Sequence, residues 1–437
     1  MATFDGYTDV VIIGGGIIGS AIAYQLARRD VAVTLVDKGP IGYEQSTRNW
    51  GWVHQQVRYP HLIPLAVESV QMWKGLTAEL EADVGWVQGG NMSLGFDDAD
   101  LAEFEKWGQI ARNAGLETAV LNCDQVVELM PGMASMAGSW TGALHLPTDG
   151  QADPSLVTAA FARAAERNGA RIVTDCAVTS IETAGGSVTG VLTERGPIAA
   201  SQVVVAAGAW SSRLTRPIGI RFPQRAVRST VVRTKPVEYV TAVTAWAEGF
   251  TFRQDRAGRF VLAGGEEAIY DVDLSLFRDM RWFLPVAWKN RRWLRMRVGR
   301  AFFKDLAAKI PGAAPRREFW QRRRMIDPPA DGKAVRETLA LFHRAFPDLA
   351  KVGIESVWAG NIDSTPDQAP IIGPVGGGPN GLIIATGFSG HGFALGPAGG
   401  RLAADLILGD KPLVDPHPFR HARFAERAVP DLDGHRR

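Results

Sequence analysis

The first residues with the types and spacing to do chemistry are three glycines and an acid. In DVVIIGGGIIGSAIAYQLARRDVAVTLVDKG, Asp9 to Gly39, the glycines Gly14, Gly16 and Gly19 follow one apolar run, and Asp37 closes a second. Gly14 permits a tight turn, Gly16 lets backbone approach a pyrophosphate, and Gly19 lets a helix lie close to a strand. The amides at that helix start are unpaired and partly positive, which suits phosphate. An acid at the end of the second strand accepts hydrogen bonds from a ribose and disfavours a 2'-phosphate. The elements needed to position these groups are a buried strand at Val10–Ile13, a helix over Ile17–Arg29 and a second strand at Val31–Val36. This order predicts a dinucleotide site rather than a turn that binds nothing, but by itself it does not separate FAD from NAD.

Other stretches carry chemistry further along. STRNWGW spans Ser46–Trp52, and VVVAAGAWSSRL spans Val203–Leu214. WAGNIDSTPDQAPIIGP runs from Trp358 to Pro374, and GLIIATGFSGHGFALGPAGGRLAADLILG from Gly381 to Gly409. In the last, Leu382–Ala385 reads as a strand, GFSGHG as a glycine turn, and Leu395 onward as a helix. Thr251–Gly265 predicts a hairpin turning at Arg256–Gly258, and Asp153–Asn168 an amphipathic helix entered through DPS.

A chain of 437 residues exceeds one ordinary core, and 46% apolar with 22% charged residues is a globular balance. Cys123 and Cys176 give neither a disulfide framework nor a metal pattern, so a reducing compartment is expected and no metal. The N-terminus has no basic region before its first apolar run, and no window approaches a membrane span; neither a signal peptide nor a transmembrane segment is expected.

Together the quoted motifs resemble the FAD-dependent amine and amino-acid oxidoreductases, the family of D-amino acid oxidase, glycine oxidase and sarcosine oxidase, including iminodiacetate oxidase-like and D-amino acid dehydrogenase-like members. The resemblance implies an α/β chain with a discontinuous Rossmann-type FAD-binding domain at residues 1–88, 148–222 and 352–437. An α+β substrate domain with an antiparallel sheet would occupy 89–147 and 223–351. It implies FAD contacts at Gly14, Gly16, Ile17, Ile18, Gly19, Asp37 and Lys38, at Ser46, Thr47, Arg48 and Asn49, and at Val178, Ala207, Gly208 and Trp210. Further contacts are implied at Gly360, Gly387, Gly390, His391, Gly392 and Phe393, and the helix after GFSGHG would aim its amides at the flavin pyrimidine ring. Arg48, His54, Arg58, Arg253 and His391 are the candidate catalytic or substrate-side residues, with His145 a similar candidate; an arginine fork suits a substrate carboxylate. Three departures narrow the chemistry. Gly360 stands where sarcosine oxidases carry the cysteine bonded to flavin, so FAD is expected to be noncovalent. Ala394 replaces their active-site lysine, and Ile362 the carboxylate-binding arginine of glycine oxidase.

The expected activity is hydride removal from the carbon beside an amine nitrogen of a small amino acid or N-substituted glycine, followed by hydrolysis of the imine. One stretch bears on where the electrons go. Between Ser275 and Ile310 ten lysines and arginines face only Asp279 and Asp305, so the rest of the chain is net acidic at an overall +2. Pro285 divides the stretch, both halves read as helical, and Trp293, Leu294, Val298, Ala301, Phe302 and Leu306 recur near helical spacing. A basic amphipathic insert over 274–310 predicts attachment to the cytoplasmic side of the inner membrane, with quinone as acceptor. Docking to a partner subunit or second copy, RNA binding, and a solvated helix covering the sheet are the alternatives for the insert. A soluble peroxide-forming oxidase and a tRNA-associated flavoprotein are the alternatives for the protein, although nucleic acid is not the expected partner.

Overall fold

The computed structural model describes residues 6–57, 59–136, 139–264, 268–272, 275–289, 294–298 and 324–426. The N-terminal glycine stretch folds as strand Tyr7–Ile13, helix Ile17–Ala27 and strand Val33–Val36, the helix ending and the second strand starting two residues inside the expected bounds. These strands lie in an eight-stranded sheet, in the order Ile371–Pro374, Leu382–Thr386, Gly196–Val205, Tyr7–Ile13, Val33–Val36, Arg171–Val173, with Val178–Ala184 and Ser187–Thr193 added beside Gly196–Val205. The central pairings are parallel, with Val11 opposite Val203, Ile12 opposite Leu35 and Val204 opposite Ile383. Strands buried on both faces have no polar side to alternate, which is why VVII is an unbroken apolar run and VTLV is interrupted only by Thr34, itself buried.

Helix Ile17–Ala27 is buried at every position and lies against helices Pro154–Arg167 and Gly396–Leu408. A Cβ on Gly400 would stand 2.5 Å from that of Ala21, so the glycine allows the two helices to touch. Asp153 caps the helix that follows it by accepting from the Ser155 amide, as its DPS entry predicts.

A second sheet holds ten strands among the described residues. Its spine is Arg225–Thr234, paired antiparallel with Ile354–Ser364 on one side and Phe260–Gly264 on the other. The predicted hairpin is present as Phe250–Gln254 and Phe260–Gly264, with Gly258 at φ +79° in its turn. The sheet is mostly antiparallel, with two parallel pairs: Thr244–Ala247 beside Asn91–Gly95, and Ala268–Val272 beside Leu294–Val298. Residues Ile354–Ser364 join this sheet although they fall in the segment expected with the nucleotide half.

The basic stretch departs from expectation. Ser275–Lys289 is one helix that continues through Pro285, but Leu294–Val298 is a strand. In LRMRV the apolar and basic residues alternate with the period of a strand, and parallel pairing with Ala268–Val272 satisfies one edge of its backbone. Positions 301–310, where the helical spacing would continue, lie outside the described residues. No described helix is long and apolar enough to cross a membrane.

Candidate active site

A cleft lined by residues of both sheets opens where the two sheets meet. Its floor is the glycine turn. A Cβ on Gly14 would stand 2.5 Å from the Ala206 carbonyl oxygen, and one on Gly19 only 1.9 Å from the Gly14 oxygen, so both positions exclude any side chain. Asp37 accepts from the Gly15 amide at 2.6 Å and the Gly39 amide at 2.7 Å, which fixes the turn and leaves lone pairs for a ligand. Burial pushes the Asp37 carboxyl up to about 6 against those two donors. Ser46 Oγ accepts from the Ile17 amide at 2.9 Å, tying the STR loop to the helix start.

The rim carries charge. The Lys38 ammonium sits 3.4 Å over the Trp210 ring and 3.3 Å from Glu44, and burial lowers its pKa. Trp210 donates its indole N–H to Glu44 at 3.0 Å, as does the Ile326 amide at 3.1 Å. At the far wall Asp363 accepts from Gln224 Nε2 at 2.6 Å, Thr386 Oγ at 2.7 Å and the Gly387 amide at 2.6 Å. Burial raises the Asp363 pKa while these donors oppose it. The network stitches strand Ile354–Ser364 to strand Leu382–Thr386 at the cleft.

Of the residues expected to hold cofactor, Gly14, Gly16, Ile17, Ile18, Asp37, Lys38, Ser46, Arg48, Asn49, Val178, Ala207, Gly208, Trp210, Gly390, Gly392 and Phe393 line the cleft. Gly19, Thr47, Gly360, Gly387 and His391 do not. Gly19 lies beneath the turn, and Thr47 turns back to the Tyr43 carbonyl at 3.2 Å. Gly360 packs against Gln45, while Gly387, at φ +76°, acts through its amide on Asp363. Helix Gly396–Leu408 starts three residues after the last cleft-lining position of the glycine turn, Phe393.

The substrate-side candidates separate. Arg48 lines the cleft, but its Nη1 donates to Asp327 at 2.6 Å and the Ala359 carbonyl at 3.0 Å, and its Nε to the Tyr43 carbonyl at 3.3 Å; it knots the wall together. Arg253 is not a cleft residue. It is buried, donating to the Trp50 carbonyl and, at 3.0 Å, to Gln151 Oε1, and burial lowers its pKa to about 10. A strand residue of the second sheet has its side chain fixed to one face, and Arg253 points under the Trp50 loop instead of into the cleft. His145 lies on strand Gly142–Leu146 beside Gly90, outside the cleft lining. Arg58 lies outside the described residues.

His54 and His391 do meet, with ring centroids 5.5 Å apart. His391 sits between the cleft-lining Gly390 and Gly392, so a row of rings starts at the cleft: His391, His54, then Trp52, Trp50 and Trp246, the three tryptophans edge-to-face at 5.6 Å. Burial lowers the His54 pKa to about 4, so the ring is neutral at pH 7 and donates its Nδ1 proton to the Gln56 carbonyl at 3.1 Å. Trp52 is buried, the other four rings are partly buried, and the row stands beside the cleft rather than in its lining.

Sequence reasoning missed Glu44, Gln224, Ile326, Asp363 and Thr386. Asp363 carried a signal, an acid within a motif already singled out. Glu44 stands two residues before the quoted STR loop. Ile326 carried none.

A profile of the family described as FAD dependent oxidoreductase (DAO) matches residues 9–406, and the chain belongs to that family. It is 26% identical over 428 residues to a glycine oxidase of Geobacillus kaustophilus, covering 95% of this chain and 97% of the relative. It is 24% identical over 473 residues to a D-amino acid dehydrogenase of Bradyrhizobium diazoefficiens, covering 96% and 99%. Among solved structures, the L-amino acid deaminase of Proteus myxofaciens, in complex with anthranilate, superposes with a TM-score of 0.89 at 28% identity, over 97% of this chain and 95% of that one. The protein is thus an FAD-dependent oxidoreductase, and the residues present fit FAD: a turn closed to side chains, an acid at the second strand's end, and a long cleft between the sheets. Gly360 offers no sulfur for a covalent bond to the flavin.

Proposed function

We propose that the protein oxidises a free amino acid or N-substituted glycine and passes the electrons to membrane quinone at the cytoplasmic face of the inner membrane. Bound FAD would supply the hydride acceptor for the carbon beside the substrate nitrogen. The chain's own residues prepare that step. The aromatic row from His391 to Trp246, which begins beside the cleft, would limit water on that side and favour the neutral amine, since a desolvated ammonium loses its proton more readily. Neutral His54 adds no charge to repel a residual ammonium. Asp363, through Gly387 and Thr386, holds the glycine turn at the edge of the cleft. The imine then leaves for hydrolysis in water. The glycine oxidase, dehydrogenase and deaminase relatives support the substrate class.

The observation that favours quinone is one helix face. On Ser275–Lys289, Met280, Leu284 and Trp288 recur every four residues and are 44%, 56% and 70% exposed. The opposite face is anchored: Asp279 pairs with Arg225 at 3.0 Å, Arg225 lies over Phe283, and Trp282 meets Phe424 edge-on. An apolar face within the chain's most basic stretch complements an anionic lipid surface, where the quinone pool resides. Stopped-flow reoxidation after anaerobic reduction tests the acceptor. Rapid reaction with a quinone analogue and slow reaction with oxygen are expected; the reverse would establish a peroxide-forming oxidase. Flotation with anionic vesicles tests the surface, and Leu284→Glu with Trp288→Glu should abolish it while leaving anaerobic flavin reduction intact.

A further inference from the structure

We propose that the extended segment Arg324–Asp331 is a clasp that retains FAD, with Glu44 as its latch. The segment follows the basic stretch in the chain and enters helix Gly332–Ala345. It crosses from one sheet to the other and is tied at both ends and in the middle. At the nucleotide end Arg324 pairs with Glu194 and reaches the Lys38 carbonyl at 3.4 Å. At the far end the Pro329 carbonyl accepts from Arg228 at 3.2 Å, and the Asp331 amide donates to Thr230 Oγ at 3.0 Å. Between them Ile326 donates its amide to Glu44 and turns its side chain into the cleft lining, while Asp327 pairs with Arg48.

The residues alternate as an extended strap must. Met325 and Asp327 face solvent and Ile326 faces inward. The strap also packs without slack, because a Cβ on Gly39, two residues after Asp37, would stand 2.9 Å from the Arg324 carbonyl oxygen. Glu44 receives three groups at once: the Ile326 amide, the Trp210 indole and the Lys38 ammonium. It therefore couples the strap to two cleft-lining side chains. The Arg48–Asp327 pair contributes little by itself, since the Asp327 side chain is 75% exposed and its attraction is screened by water. Six tethers on a segment that adds a side chain to the cofactor cleft describe a closure over the ligand. A simple connection between domains needs none of them.

The inference rests on FAD as occupant and is independent of substrate and acceptor. Its test is FAD release from the holoenzyme, followed as the flavin absorbance remaining on the protein during continuous washing. Loss of partly buried hydrogen bonds predicts release about tenfold faster in Glu44→Ala. Removal of the cleft-facing side chain predicts release about threefold faster in Ile326→Ala. Arg344→Ala, at an exposed pair with Glu248 far from the cleft, should match the parent. Because Glu44→Ala also frees Lys38 and Trp210, amide exchange of residues 324–331 in the unaltered protein provides a second reading. Slower exchange with FAD than without supports the clasp. Unchanged release in both variants, or equal exchange with and without FAD, overturns it. A parent protein that takes up no FAD would overturn the cofactor assignment first.

Discussion

The cofactor cleft and the aromatic wall beside it are built in opposite ways. The cleft is made of backbone: glycines at 14 and 19 that exclude a Cβ, amides that fix Asp37, and a strand end held by Asp363. The wall is made of side chains, five rings from three separate stretches of chain, with Arg253 beneath them. Backbone sites fix residue type at a few positions, whereas side-chain walls can be repacked. The two regions also treat charge differently. In the cleft, donors around Asp37 and Asp363 oppose the upward push of burial without cancelling it, whereas His54 is driven neutral by burial with a single backbone bond opposing.

Substitutions should separate the two. The largest effect is expected for Gly19→Val, whose Cβ would overlap the Gly14 carbonyl. Flavin absorbance of the purified protein should be lost, even where circular dichroism shows a folded chain. In the wall, Arg253→Met should cost about 2–4 kcal/mol of stability through lost charge-assisted hydrogen bonds to Trp50 and Gln151, read from urea unfolding. It should raise the KM for substrate while FAD affinity stays within about twofold, since hydrogen bonds of that size act only on the groups they join.

Smaller effects follow from pH. The folded-state pKa of His54, about 4, lies below its ordinary value of 6.5, so the fold disfavours the protonated ring. That contribution is intact above pH 6.5 and is lost as pH falls from there towards 4. His54→Asn should flatten the urea midpoint over this window. Asp149, buried with Gln55 donating to it, has the opposite sign: burial raises its pKa to about 7, so its contribution is greatest below 3.8 and is lost as pH rises to about 7. Asp149→Asn should therefore cost less stability at pH 8 than at pH 5. The exposed Arg344–Glu248 pair marks the floor, at about 0–1 kcal/mol on removal of Arg344.

The same contrast explains what was legible in the sequence. The glycine turn, Asp37, the hairpin at Gly258 and the helix capped by Asp153 are local patterns whose reason lies within a few residues. Arg253 was misplaced because which face of a sheet meets the cleft depends on strands up to about 200 residues away, such as the Trp50 loop it supports. LRMRV offers a different lesson. Its alternation was visible, but surrounding aromatic residues suggested a helix, and pairing with Ala268–Val272 decided the matter. Ile326 reaches the cleft only because the strap crosses between sheets, which no local pattern announces.

The central claim is that this cleft oxidises amino acids or N-substituted glycines through FAD. Anaerobic mixing of the flavin-loaded protein with a panel of L- and D-amino acids, glycine, sarcosine and iminodiacetate tests it most directly. Bleaching of the oxidised flavin's visible band by at least one of them, with the matching oxo product released, is the predicted result. A fully loaded, folded protein whose flavin stays oxidised with every compound would contradict it.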